Sequence, residues 1–168
     1  MAAVAVDANC IAQFQQERLG LKRGHGLRAI RHIMSNHHIV VDARKACEQE
    51  WYDCLKGPIG ENLKDWVAEQ QRLGKIVPVT CSPQPAHRAA LQRLGFPQSD
   101  HKWVCLVASA AAIAMVSEDI DFYDPTRKKS PSRVTDPIKQ NQRGPVARYF
   151  RRYLGAPVMM LNHVPNQI

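Results

Sequence analysis

Acidic residues flank apolar runs at several separated points of the chain. Asp7 follows the small apolar stretch 2–6, Asp100 precedes the apolar run 103–117, and Asp119 and Asp121 follow it. Glu50 shares one face of a helical segment with Ala46, Cys47 and Cys54. In open α/β sheets ligands collect at the carboxyl ends of strands, which is where Asp7 and Asp119 are predicted to stand. Carboxylates gathered there repel one another and raise one another's pKa unless a cation neutralises them. Hard oxygen donors without histidine or cysteine suit Mg²⁺ or Mn²⁺ rather than zinc. Such an ion orients a phosphate, acidifies an attacking water and offsets charge on a leaving oxygen, and two ions about 4 Å apart divide those tasks.

In the helical segment from Asp42 to Leu55 Glu48 is the rival of Glu50, and the wheel separates them. At about 100° per residue Glu48 lies about 200° from Glu50 and is expected to face solvent. An acid among small apolar neighbours is costly to bury unless it is paired, hydrogen-bonded or bound to a cation, which favours Glu50 as the site residue. A basic neighbour such as Arg44 or Lys45 is the other way to satisfy it. His37 and His38 are adjacent in a predicted strand and point to opposite faces, so they are poor partners for one metal.

The elements that must hold these acids alternate along the chain. The 15 uncharged residues from Trp103 to Ser117 fall short of the ~20 of a spanning helix. They read as a helix capped by Ser99, with Trp103, Val104, Val107 and Ala108 on one face, then a buried strand at 113–116. The joint at 110–112 has no glycine, which leaves the start of that strand open. Strands are also predicted at the N-terminus, 39–41, 76–79 and, as a final edge, 158–161. Helices are predicted around Cys10, Ile11 and Phe14, over 27–34 with Arg28 and Arg31 outward, from about Glu61 to Gly74, from Pro83 or Pro85 to Gly95, and from Gly144 to Gly155. Alternating strands and helices imply a three-layer α/β/α fold with a central, mostly parallel sheet.

The 168 residues suit a single domain. Residues 1–124 would form its core, 125–143 a basic proline-containing loop, and 144–168 a helix and edge strand completing it. Five cysteines without a C-x-x-C pair read as reduced core thiols of a cytoplasmic protein. No secretory signal is evident at the N-terminus. From Pro125 onward nine basic residues stand against the single acid Asp136, so the whole net charge of +8 belongs to the C-terminal quarter. A cationic extension on a neutral core points to a phosphate backbone as partner, with Arg127, Lys128, Lys129, Arg133, Arg148, Arg151 and Arg152 as contacts.

Taken together, Asp7 in a V-D-x-N context, Glu50–Trp51 eight positions after Asp42, Asp100 at a helix start, and Ser117, Asp119 and Asp121 in an S-x-D-x-D-F element resemble the PIN domain, a family of metal-dependent nucleases. The resemblance covers residues 3–124. It implies a PIN-like fold with the first strand at the sheet centre, and an endoribonuclease that hydrolyses RNA to leave a 5′-phosphate and a 3′-hydroxyl with Mg²⁺ or Mn²⁺. Asp7, Asp100 and Asp119 would be ligands, and Glu50 would bind through a water or position the nucleophile. Asp121 would serve a second ion or stand in for Asp119, while Asn9 and Ser117 would hold carboxylates in place. Small single-domain members act as toxins held by an antitoxin or as defence nucleases, so RNA, an inhibitory protein and a second copy of the chain are the expected partners, and no membrane. The alternative is a catalytically silent PIN-like module that binds RNA or protein through its basic C-terminal segment.

Overall fold

Residues Ala3–Val6, four small or apolar side chains in a row, form β1 and are buried at every position, as a strand covered on both faces must be. In a computed structural model describing residues 1–168, β1 is the middle of a five-stranded sheet with β2 (His38–Asp42), β3 (Ile76–Val79), β4 (Ala114–Val116) and β5 (Val158–Met159). The order is β3-β2-β1-β4-β5 and every neighbouring pair is parallel. The helices are α1 (Ala8–Arg18), α2 (Gly26–Asn36), α3 (Ala46–Asp53), α4 (Pro58–Arg72), α5 (Pro85–Arg93), α6 (His101–Ala110), α7 (Ser132–Gln140), α8 (Pro145–Tyr149) and α9 (Val164–Gln167). They flank the sheet in a three-layer α/β/α arrangement. No helix is long and apolar enough to cross a membrane.

From β1 the chain builds outward in opposite directions, β2 and β3 to one side and β4 and β5 to the other. The crevice beyond the ends of β1 and β4 is therefore the topological switch point of the sheet. Register delivers the first site residues there. Val6 is opposite Val116, and the Asp7 amide donates to the Val116 carbonyl at 2.9 Å, so Asp7 and Ser117 leave the sheet side by side.

Three expectations change. Ser99 does not cap α6: it lies in a single 3₁₀ turn, Gln98–Asp100, and Asp100 holds the cap position. At the other end of α6, the joint without a glycine places Ala111 in the left-handed region, at φ 47°. A side chain there costs about 1 kcal/mol relative to glycine, so Ala111→Gly is expected to raise stability by about that amount in urea denaturation. Of the five cysteines, all free, Cys10 and Cys47 are in the core, but Cys54 is exposed and Cys81 and Cys105 are half-buried.

The third change concerns residues 125–143, which are not a loop. A 3₁₀ turn covers Pro125–Arg127 and α7 follows, with Pro137 inside it. Composition under-reads this segment because polar contacts to distant residues hold it. Lys139 Nζ donates to the Glu118 carbonyl at 3.0 Å, Gln142 Nε2 donates to the Val158 carbonyl at 3.1 Å, and Asn162 Nδ2 donates to Gln140 Oε1 at 3.2 Å. The C-terminal quarter is also packed onto the core. Phe150, just past α8, meets Phe96 and Phe122 edge-on, with ring centroids 6.1 and 6.0 Å away. Gly144 makes the return possible: its φ is +106° and a Cβ there would lie 2.1 Å from the Tyr123 carbonyl oxygen. That oxygen accepts from the Val146 amide at 3.1 Å, and the Tyr123 hydroxyl donates to the Ser117 carbonyl at 2.8 Å. The basic quarter is thereby built directly onto the turn that carries Ser117, Asp119 and Asp121.

Candidate active site

Asp7 combines two tasks. As the residue before α1, its Oδ1 accepts from the Ala8 amide at 2.7 Å and caps the helix. Its Oδ2 accepts from the Ser117 hydroxyl, also at 2.7 Å. The side chain is 5 % exposed, and burial pushes its carboxyl up to about 7. The Ser117 hydroxyl and Ala8 amide oppose that rise, and the negative charges of Asp119 and Glu50 add to it.

Ser117 organises the turn that follows β4. Its Oγ accepts from the Asp119 amide at 3.1 Å, and Asp119 Oδ1 in turn accepts from the Asp121 amide at 2.9 Å. Asp121 is buried; one oxygen takes the Lys128 ammonium at 2.6 Å and the other, Oδ1, has no partner. Asp100 holds the cap position of α6. Burial, together with the charge of Glu50, pushes its carboxyl up to about 6, Lys102 opposes the rise, and Asp119 and Asp121 add to it. The charges of Glu50 and Asp119 thus bear on both Asp7 and Asp100, and that of Asp121 on Asp100, from four separated stretches of sequence. Asn9, expected to hold a carboxylate, instead accepts weakly from the Glu118 amide at 3.5 Å.

The assignment of α3 needs correction. Glu48, expected in solvent, is buried and accepts from the Tyr52 hydroxyl at 3.2 Å and from Gln71 Nε2. The wheel argument assumed one covered face, whereas α3 packs against α1 and α6 and also against α4, which carries Gln71. Glu50 is the more open of the two and pairs with Lys102. Asp42, which closes β2, accepts from the amides of Ala46 and Cys47 at 3.0 and 2.7 Å. Burial would raise its carboxyl, but these amides outweigh burial and hold it below the ordinary range.

The pairing of two cations with the site's acids was not read from the sequence. Lys102, two positions past Asp100, binds Glu50 and the Ser99 carbonyl. Lys128, read as a phosphate contact, binds Asp121, which raises its own pKa. No three His, Cys, Asp or Glu side chains are gathered tightly enough to hold an ion as they stand. Two ammonium groups occupy carboxylates here, Lys102 on Glu50 and Lys128 on Asp121. The donor chemistry nevertheless fits a hard divalent ion: the donors are carboxylate oxygens, Asp121 Oδ1 is buried without a partner, and burial, with neighbouring negative charge, holds Asp7 and Asp100 above the carboxylate range. Removing the Lys128 ammonium leaves Asp121 buried and uncompensated. Lys128→Met is therefore expected to lower stability by about 1–3 kcal/mol at neutral pH, read by chemical denaturation.

The other basic candidates, Arg127, Lys129, Arg133, Arg148, Arg151 and Arg152, are exposed. Arg127 is 4.0 Å from Asp124, and Arg152 lies over the Tyr153 ring. No protein-family model matches this chain, and neither a curated protein nor a solved structure matches it.

Proposed function

We propose that the chain is a metal-dependent endoribonuclease of PIN-like design that hydrolyses RNA phosphodiesters at the switch point of its sheet. The observation that supports this reading is that the charges of Glu50 and Asp119 raise the carboxyls of both Asp7, which follows β1, and Asp100, which precedes α6. Asp7, Asp100 and Asp119 would hold Mg²⁺ or Mn²⁺, with Asp121 Oδ1 a further donor. A bound ion supplies charge neutralisation and Lewis acidity toward phosphate oxygens.

The remaining work belongs to the chain's own residues. The Ser117 hydroxyl fixes the Asp7 carboxylate from one side and the Ala8 amide fixes it from the other, so its orientation is set in advance. Glu50, half-open to solvent, accepts a proton from the attacking water and aligns it. Lys102, next to Glu50, donates to a phosphate oxygen when substrate enters. A toxin or defence role, with an acidic antitoxin-like inhibitor on the basic quarter, follows from the same reading. The test is cleavage of a labelled single-stranded RNA by the purified chain with Mg²⁺ or Mn²⁺, and its loss on chelation.

A silent binding module is the second reading. It is favoured by the two ammonium groups that neutralise Glu50 and Asp121 without any metal. A binder retains RNA in Mn²⁺ and yields no fragments; the nuclease yields fragments.

A further inference from the structure

Beside the carboxylates, past the ends of β2 and β3, a cavity of about 430 Å³ opens between the turn after β2, residues 80–85 and the start of α6. That volume falls within the roughly 300–1,000 Å³ of small-molecule sites. Its charge narrows the choice of ligand. Arg44, Arg88 and Lys102 line it, and neither arginine takes part in any of the chain's ion pairs. The one acid in the lining, Asp42, has its oxygens engaged by the Ala46 and Cys47 amides, so it leaves the guanidinium groups free. Unpaired guanidinium groups around a concave site suit the planar, two-pronged recognition of phosphate. Pro83 and Pro85 give the same cavity an apolar wall against which a base or sugar can lie.

Lys102 ties this cavity to the acidic centre, since it lines the cavity while its ammonium pairs with Glu50. We propose that the cavity seats the nucleotide adjoining the scissile phosphate of a single-stranded RNA, with Arg44 and Arg88 on its phosphate and its base on the proline wall. Single-stranded RNA is specified because a base must be free of its helix to enter such a pocket. The choice of RNA rests on the ribonuclease reading; the capture of a nucleoside phosphate rests on the cavity alone. None of the basic residues after Pro125 lines it, so the cavity is separate from the region that carries the net charge.

The experiment uses the full chain in EDTA, so that binding is measured without cleavage. A fluorescein-labelled single-stranded oligoribonucleotide is titrated by anisotropy against the parent, the Arg44→Ala/Arg88→Ala double variant and the corresponding double lysine variant. Both arginines are exposed, so the melting curves should coincide. Affinity is expected to fall about tenfold or more in the alanine variant and to be only partly restored by lysine. A nucleoside 5′-monophosphate should compete better than inorganic phosphate. Equal affinity of parent and alanine variant overturns the proposal, and so does phosphate that competes as well as the nucleotide.

Thiol footprinting separates this proposal from the nuclease reading. Cys81 and Cys105 line the cavity, whereas Cys54 lies one helical turn beyond Glu50. Bound oligonucleotide is expected to slow iodoacetamide alkylation of Cys81 and Cys105. Shielding of Cys54 alone would mean that RNA crosses the carboxylates without entering the cavity, and the proposal would fail while the nuclease reading survived. Shielded Cys81 and Cys105 in a chain that makes no fragments in Mn²⁺ would uphold the subsite and remove the nuclease.

Discussion

Replacing Asp7 by asparagine is expected to lower cleavage of single-stranded RNA by roughly 10³-fold, the order of loss when a principal electrostatic group leaves a catalytic centre, with the fold intact. The local geometry makes the two outcomes separable. Asparagine is as good a helix cap as aspartate, and its oxygen can take over the bond from the Ala8 amide. Its amide nitrogen then faces the Ser117 hydroxyl, which rotates to accept. What is lost is the charge, and that charge is unwelcome in the metal-free protein, where burial holds the carboxyl at about 7. The variant should therefore melt no lower than the parent at pH 8, where the parent must carry an ionised Asp7. Asp100→Asn should lose activity in the same way. Glu48→Gln should cleave at close to the parental rate, because Glu48 faces Gln71 and Tyr52 rather than the site. Parental cleavage by folded Asp7→Asn would remove the assignment, and a large loss in Glu48→Gln would shift it along α3.

What could be read in the sequence is governed by how far each cause acts along the chain. β1 and β3 declare themselves because apolar runs bounded by Asp7 and Gly74 are local signals, and alternation implies the parallel sheet, whereas the central place of the first strand came from the family resemblance. Asp7 and Ser117 were legible for the same reason: each immediately follows a buried strand, and parallel register carries them to the same level. Glu48 was not, because its burial depends on α4 arriving from 23 residues away with Gln71. The order in residues 125–143 was hidden by their composition, since its anchors, Glu118, Val158 and Asn162, lie outside the segment. Lys102 and Lys128 illustrate the harder limit. A lysine near acids in sequence looks like any solvated charge, and only the fold reveals that its ammonium reaches a particular carboxylate. The cavity was missed because Arg44, Arg88 and Lys102 are dispersed through the electrically neutral part of the chain, whereas net charge drew attention to its end.

In the absence of divalent ions Asp7 and Asp100 are expected to contribute a loss of stability as pH rises from about 4 to about 7, against the opposite contributions of Asp42 and of His37, His38, His101 and His163, which are held below their ordinary values. Asp7 titrates at about 7 and Asp100 at about 6 when folded, each above the ordinary aspartate value of 3.8. Between those limits these two carboxyls bind more protons in the folded state than in the unfolded state, so their share of the unfolding free energy declines with pH. For Asp7, nearly fully buried, the decline is on the order of a few kcal/mol; Asp100 adds less because it is more open. The decline should be complete shortly above pH 7. Urea denaturation of parent and Asp7→Asn in EDTA at pH 5 and pH 8 measures it, and the variant should lack most of the decline. Mn²⁺ should act in the opposite sense, because it favours the ionised acids that metal-free folding resists. At a hundredfold excess over its Kd it should add about 2.7 kcal/mol at pH 8 and much less at pH 5. Displacing Lys128 from Asp121 opposes that gain, so Lys128→Met should bind Mn²⁺ more tightly although it is less stable without it. A difference between parent and Asp7→Asn that stays level with pH in EDTA would mean that Asp7 is not held above its ordinary range. A decline that Mn²⁺ leaves unchanged at pH 8 would mean that no ion binds beside Asp7 and Asp100 and that Glu50 and Asp121 keep Lys102 and Lys128 as their counter-charges, which is the condition of a module that binds RNA and does not cut it.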